Sequence, residues 1–565
     1  MREIEIVKHV PFFLIGSLLA LLGAGSAQRQ ESGRQLNRQI LLPDEETTIA
    51  PCCPSGPEYD RFPPVPTREI ASPPPGRPVD DRTYQRLKEL AGFDPNVPDG
   101  RDAGTAEDGE APGLIEELIV PLAPDKRSQF NGVNQEKGGG FPPDTNIAVG
   151  PGHLLEAVNF VFRLSTKANG NALFQTFNDH FGTSSKAFLF DPKVYYDPIS
   201  ERFFVVVLEL DDAKDKSFIY LSVSRDREPS SLASGWCNYK FSSKRKRAYA
   251  DYPQLGMNEK WLAIGTNNFK FSGGFFERSH LWVIDKTELV DNASGCPQLS
   301  LFKFTAATDA DGELAFNVQP AQHYTDTGLP GDTLFLVSTP FSSSDVYVLW
   351  RLQSSSPAAG GRAAKTKPTL SRSNLAATPF SLPPLAAQKG KGVPLDSGDT
   401  RVMQQVVFRD NKLWFAFATG CNLGGGGNES CIRVARIIPD AAAGTVDFED
   451  TFGAGKNNHI WWPGLAVNQR GDVVVVFQRS GKKTFLSVAY NGMKKGASKF
   501  DTIKFLARGK CSSQAIGGGG FNRTGDYVGA QPDPSNNRQF WIAGEFSKRF
   551  GSHCDWFTKI AKVSY

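Results

Sequence analysis

The chain has 565 residues, with 63 Lys and Arg against 60 Asp and Glu and a formal net charge of +3. A balance this close to neutral excludes the basic excess of a nucleic-acid binder, and no nucleic-acid partner is expected. Eight cysteines without a Cys-x-x-Cys or Cys/His array exclude a zinc module and point to disulfides formed in an oxidising compartment.

Residues 1–27 carry Arg2 and Lys8, an apolar run over 11–22 and the small residues Gly25-Ser26-Ala27. This is the pattern of a secretory signal peptide cut after Ala27, and the run is shorter than the roughly 20 residues that span a bilayer. The mature protein is expected to be secreted, extracellular or periplasmic, monomeric, and without a membrane span once the signal is removed. Residues 28–112 are rich in Pro, Arg, Gln, Asp and Glu with few apolar clusters, which predicts a disordered tail or linker. Within it, 83–91 has apolar residues three and four apart and predicts a short helix. The stretch 114–121 has the apolar content of a strand and is the candidate to close a ring against its last blade.

After residue 140 one phrase recurs: a polar start containing Asp, Pro or Gln, a short apolar strand, a turn, and a second apolar strand. The clearest copies are 144–155, 251–262 and 462–474. Such a unit cannot bury its own apolar face, so neighbours must stack and the ring must close. The fold class is therefore all-β, a β-propeller over 113–565, with seven blades starting near Asp144, Asp191, Asp251, Gln319, Asp399, Trp462 and Asp526. One misread start would make the ring six- or eight-bladed. Residues 354–395, rich in Ser, Ala, Gly, Lys and Pro, predict a flexible insert between the fourth and fifth blades. Proximity pairs Cys421 with Cys431, Cys511 with Cys554 and Cys237 with Cys296. The adjacent Cys52 and Cys53 can pair with each other, with another chain, or not at all.

The stretch Phe141-Pro142-Pro143-Asp144-Thr145-Asn146-Ile147-Ala148-Val149-Gly150-Pro151, followed by Glu156-Ala157-Val158-Asn159, resembles a set of secreted bacterial β-propeller proteins that open on a Pro-Pro-Asp-Thr and Val-Gly-Pro phrase. Segments 191–197, 250–256, 398–401 and 525–534 are similar to later parts of the same set. The resemblance implies the fold and no particular activity. A wider likeness in shape, to sialidase propellers, lacks their Ser-x-Asp-x-Gly-x-Thr-Trp box and their arginine triad, so sialidase activity is not implied.

In a propeller the innermost strands run beside the central channel, so residues at their starts converge on one face. The ligand-binding candidates are Asp144, Asp191, Lys193, Asp251, Arg401, Trp462 and Tyr527, with Gln319, Gln322 and Gln404 beside them. The catalytic candidates are Asp399, Asp526, His323 and Tyr324. Carboxylates with basic partners can grip sugar hydroxyls, hydrolyse a glycoside or hold a structural cation; no metal site is assigned and no other cofactor is expected. His323 and Tyr324 could act as base and acid in polysaccharide β-elimination. The competing reading is that each recurring Asp caps a turn, that Trp462 packs between sheets, and that His323 is a hydrogen-bonded core residue. The basic run Lys244-Arg245-Lys246-Arg247 either attracts an anionic polymer or is a solvated loop. The expected function is binding of an extracellular carbohydrate or cell-surface polymer at the channel face. The alternatives are a polysaccharide-cleaving hydrolase or lyase, and an adhesive propeller with a protein partner.

Overall fold

The computed structural model describes residues 40–60, 77–105, 123–138, 140–305, 308–324, 332–355, 367–424, 427–440, 443–513 and 521–565, all within the compact unit Arg38–Tyr565. The signal peptide read over 1–27 and the closing strand read over 114–121 lie outside these residues.

The described residues form seven four-stranded antiparallel blades. The innermost strands are Asn146–Val149, Phe188–Asp197, Ala248–Met257, Gln319–His323, Val406–Arg409, Asn458–Val467 and Gly529–Pro532. Each touches the next, and the seventh touches the first, so the ring closes. In blades 3, 4 and 5 the inner strands also pair in parallel, at Met257 with Gln322 and at Ala321 with Val406. The core consists of wedges between neighbouring blades. Ile147, Val149, Trp541 and Ile560, for example, fill the wedge between blades 1 and 7, and Leu281, Phe302, Leu336 and Trp350 fill the wedge between blades 3 and 4. Alternate side chains of the inner and middle strands thus enter one of two wedges, which is why those strands read as nearly continuous apolar runs.

Closure is made by Asp125–Asn134, which pairs with His553–Ser564 as the outer strand of blade 7. It follows directly on the stretch that the sequence favoured for this role. The disulfides Cys237–Cys296, Cys421–Cys431 and Cys511–Cys554 form as the spacing predicts, and Cys52 pairs with Cys53.

Two expectations are corrected. The described part of 28–112 is a belt that touches blade after blade. Leu41 bridges Leu370 of blade 4, Glu45–Ile49 pairs with Leu299–Thr305 of blade 3, and Pro51–Cys52 pairs with Trp236–Ser242 of blade 2. Tyr59 then bridges Phe174 of blade 1, Arg101–Asp102 pairs with the outer strand of blade 5, and Thr105 bridges Ile503 of blade 6. Backbone hydrogen bonds, which any sequence can supply, hold this belt, so it needs no apolar cluster. The insert read over 354–395 contains Pro368–Phe380, the outer strand of blade 4, paired along Ser344–Ser354. Its polar content reflects a strand with one wet face.

Candidate functional site

The recurring phrase has a structural meaning. In blades 2, 3 and 6 the inner strand carries a β-bulge in which Asp191-Pro192, Tyr252-Pro253 and Trp462-Pro463 each oppose a single residue of the neighbouring strand. The first member of each pair is left-handed, with φ of 51°, 50° and 50°, and the proline has no N–H to leave unpaired where the ladder breaks. Asp144 of blade 1 and Asn317 of blade 4 are left-handed just before their inner strands. Asp and Asn accept this conformation readily, whereas Tyr252 and Trp462 hold it at a cost of order 1–3 kcal/mol. These bends turn five side chains toward one mouth of the channel.

The mouth gathers Asp144, Asp191, Asp251, Asp526, Lys193, Arg401, Trp462 and Tyr527, and all are buried. Asp144 accepts from the Asp526 backbone N–H at 2.7 Å and from the Asn159 amide at 2.5 Å, tying blade 1 to blade 7. Asp399 accepts from the Arg401 backbone N–H at 3.0 Å and from Arg401 Nε at 2.7 Å. Arg523 pairs with Asp526 at 3.0 Å, and Lys193 Nζ lies 3.2 Å from the Tyr527 ring centre and donates to Gln404 Oε1 at 2.9 Å. Burial first, and the Asp526 charge second, push the Asp144 carboxyl up to about 7. Burial also raises Asp191, with Asp251 and Asp144 adding to it, and lowers the Lys193 ammonium.

Below the mouth, glutamines serve the unpaired inner edges of the ring. Gln531 Oε1 accepts from Val149 N at 2.9 Å, Gln319 Nε2 donates to Pro320 O at 2.9 Å, and Gln404 and Gln405 donate to Val528 O and Ala530 O. An inner strand edge exposed to a channel must find partners, and these amides are those partners.

The mouth is also covered. The helix Asp81–Ala91, capped by Asp80, brings Tyr84 and Lys88 down onto the loop 396–398. Arg77 pairs with Asp396 at 2.5 Å, Tyr84 Oη donates to Asp396 Oδ1 at 2.8 Å, and Lys88 Nζ donates to Ser397 Oγ and Gly398 O at 2.7 and 2.6 Å. Burial lowers Lys88 to about 7. Gly398 is left-handed at φ 69°, and a Cβ there would stand 2.3 Å from the Trp462 ring. The carboxylates expected to face a ligand are thus buried, and the helix is docked on the loop 396–398 beside Asp399.

His323 and Tyr324 do not face one another. His323 stacks on Phe408 at 4.5 Å in the wedge between blades 4 and 5, accepts from Phe335 N, and is lowered to about 3 by burial, with Lys286 adding to it. Tyr324 packs into the wedge between blades 5 and 6 under Arg409. The pairing needed for β-elimination is absent. Among the described residues no group of three or more His, Cys, Asp or Glu is placed to hold a metal ion.

A groove of about 620 Å³ opens between blades 2 and 3, walled by Glu45–Ile49 and Pro51–Cys52. Trp282, Phe241, Thr47, Thr48 and Ser242 line it, together with Lys240, Lys244, Arg245 and Lys303. Lys240 pairs with Glu209 at 2.8 Å and Arg245 with Glu45. Lys303 is only 2% exposed; its Nζ lies 4.2 Å from the Trp282 ring centre and has no hydrogen-bond acceptor among the described residues. The sequence marked Lys244 and Arg245 as a basic run. Lys303 carried no signal, because an isolated Lys in a strand reads as solvated.

No protein-family model matches the chain, and no curated protein matches it by sequence. Among solved structures it is similar to an α-L-arabinanase of Cellvibrio cellulosa complexed with arabinohexaose, at 9% identity over 64% of this chain and 95% of that one, TM-score 0.28. It is also similar to a polysaccharide lyase, a PL25 ulvan lyase, at 9% identity over 75% and 95%, TM-score 0.29. A GH43 endo-arabinanase from Bacillus licheniformis shares 16% identity over 54% and 97%, TM-score 0.23. The propeller rests on the chain's own strand pairing. Among the described residues no helix is long and apolar enough to cross a membrane.

Proposed function

We propose that this protein is an exported propeller that binds an extracellular carbohydrate, and that the ligand sits in the groove between blades 2 and 3 rather than at the channel mouth. The observation that carries this reading is Lys303: a buried ammonium with no acceptor among the described residues costs several kcal/mol, and a shift of its side chain at the groove wall would bring it to a ligand's hydroxyl or carboxylate oxygen. The groove has the size of a small-ligand site, an aromatic wall and hydroxyl-bearing side chains, the surroundings that sugars use. Four disulfides suit an oxidising, extracellular setting.

The test is a glycan array followed by calorimetry on the parent and on Lys303→Met. Removing an unpaired buried charge should leave the Tm unchanged or raised while binding falls at least about tenfold, the trade expected of a functional residue. A lowered Tm with unchanged binding, or a folded parent that binds no glycan, overturns the reading. A second reading, cleavage at the channel mouth, draws on Asp144 held near 7 beside the Arg523-paired Asp526. It requires the helix Asp81–Ala91 to leave.

A further inference from the structure

Two grooves on the outer edge of blades 6 and 7 meet at Lys510. The larger, about 390 Å³, is lined by Lys126, Arg508, Lys510, Lys548 and Lys559 beside Gln129, Asn131 and Phe546. The other, about 310 Å³, adds Lys391 and Arg549 and runs past the Cys511–Cys554 disulfide. Neither lining contains an Asp or Glu, and among the described residues none of these seven cations makes an ion pair. The whole chain carries a net charge of only +3, so this concentration is a local arrangement rather than a consequence of composition.

Like charges gathered within a Debye length repel, and a fold gains nothing from the crowding. Burial, with Lys126 and Lys548 adding to it, holds the Lys559 ammonium below its usual range. The cations are also steered by aromatic rings: Arg508 lies 3.7 Å from the centre of the Phe505 ring and Lys548 5.1 Å from that of Phe557. Lys559 donates to Asn131 at 3.1 Å, which fixes its direction without neutralising it.

We propose that this surface binds a polyanionic polysaccharide, one that bears carboxylate or sulfate groups along its length. Two grooves joined through one lysine suit a chain with several anions in register better than a single small anion. Amide and hydroxyl side chains, Gln129, Asn131, Ser512 and Ser552, stand between the cations where sugar hydroxyls would fall. The disulfide in the second groove suits an oxidising compartment, where acidic glycans are among the polyanions such a surface would meet. The site lies on different blades from the Lys303 groove and stands whether or not that groove binds.

The experiment measures binding of the full chain to polygalacturonate, a sulfated glycan, neutral dextran and single-stranded DNA, at low and at high salt. It compares the parent with Lys510→Glu/Lys548→Glu and with a control of equal charge change on other blades, Lys270→Glu/Lys456→Glu. All four lysines are exposed, so the fold should tolerate each pair. The expected result is salt-sensitive binding to one or both acidic glycans, at least about tenfold weaker in the first variant and within about twofold of the parent in the control. The proposal is overturned by equal losses in the two variants, by dextran binding as tightly as the acidic polymers, by DNA binding more tightly than either, or by no binding at all.

Discussion

Asp144 shows how one residue type can look like chemistry and serve architecture. Its folded carboxyl keeps a proton up to about pH 7, whereas the unfolded chain releases it near 3.8. Between those values the folded state binds the extra proton, so the stability this protonation contributes is complete below the unfolded value and is lost as pH rises through about 7. The titration belongs jointly to Asp144 and its buried neighbour Asp191. Asp144→Asn removes the slope: the Tm of the variant minus that of the parent should climb from pH 4 to pH 7 and then level off. A difference that stays flat across that range in calorimetry would show that Asp144 is already ionised when folded. The sequence identified which aspartates converge, because left-handed and bulged starts favour Asp, Asn and Pro. It did not reveal that they are covered, since their cover comes from residues some 50 or more positions upstream.

The helix Asp81–Ala91 was legible as a helix from its apolar spacing over 83–91, and illegible as a lid. Its docking face uses Tyr84 and Lys88, assisted by Arg77, in hydrogen bonds to the loop 396–398 instead of an apolar stripe. A periodicity argument sees polar residues and assigns them to solvent. Arg77→Ala would leave Asp396 buried without its guanidinium partner, an imbalance that costs about 3–5 kcal/mol. The expected outcome is faster hydrogen exchange over 81–91 and proteolytic nicking between 77 and 105, with the blades still protected. Exchange as slow as in the parent would show that the helix is held by something other than this pair. The same preparation, incubated with polysaccharides and scored for released oligosaccharide, tests the cleavage reading. The outer strand Pro368–Phe380 was missed for a related reason, because half of an edge strand is wet and its composition resembles a loop.

At the scale of the whole molecule the count of seven was legible, because seven stacked units each open on a polar start before an apolar inner strand, a start that is bulged in blades 2, 3 and 6. The belt pairings at 41–52, Tyr59 and 101–105 were not legible, because they are backbone contacts whose register no composition encodes. The closing strand is the decisive piece. A chain beginning at residue 123 keeps Asp125–Asn134 and can complete blade 7. One beginning at residue 139 leaves the His553–Ser564 edge unpaired. The shorter chain should aggregate or unfold over a broad, multistep urea transition, and the longer one should remain monodisperse with a single transition. Indistinguishable behaviour of the two truncations would deny Asp125–Asn134 its closing role.

That seventh blade joins Asp125–Asn134, which precedes every other blade strand, to the last strand described, and time therefore enters the design. When Asn134 leaves the ribosome its partner lies about 430 residues away, tens of seconds later at ordinary elongation rates. Until Ser564 is made there is nothing for the early strand to pair with, and the belt wound around the other blades has no ring to wind on. A polypeptide organised this way stays unfinished throughout its synthesis, and an unfinished chain is one that can still be threaded through a narrow translocation pore.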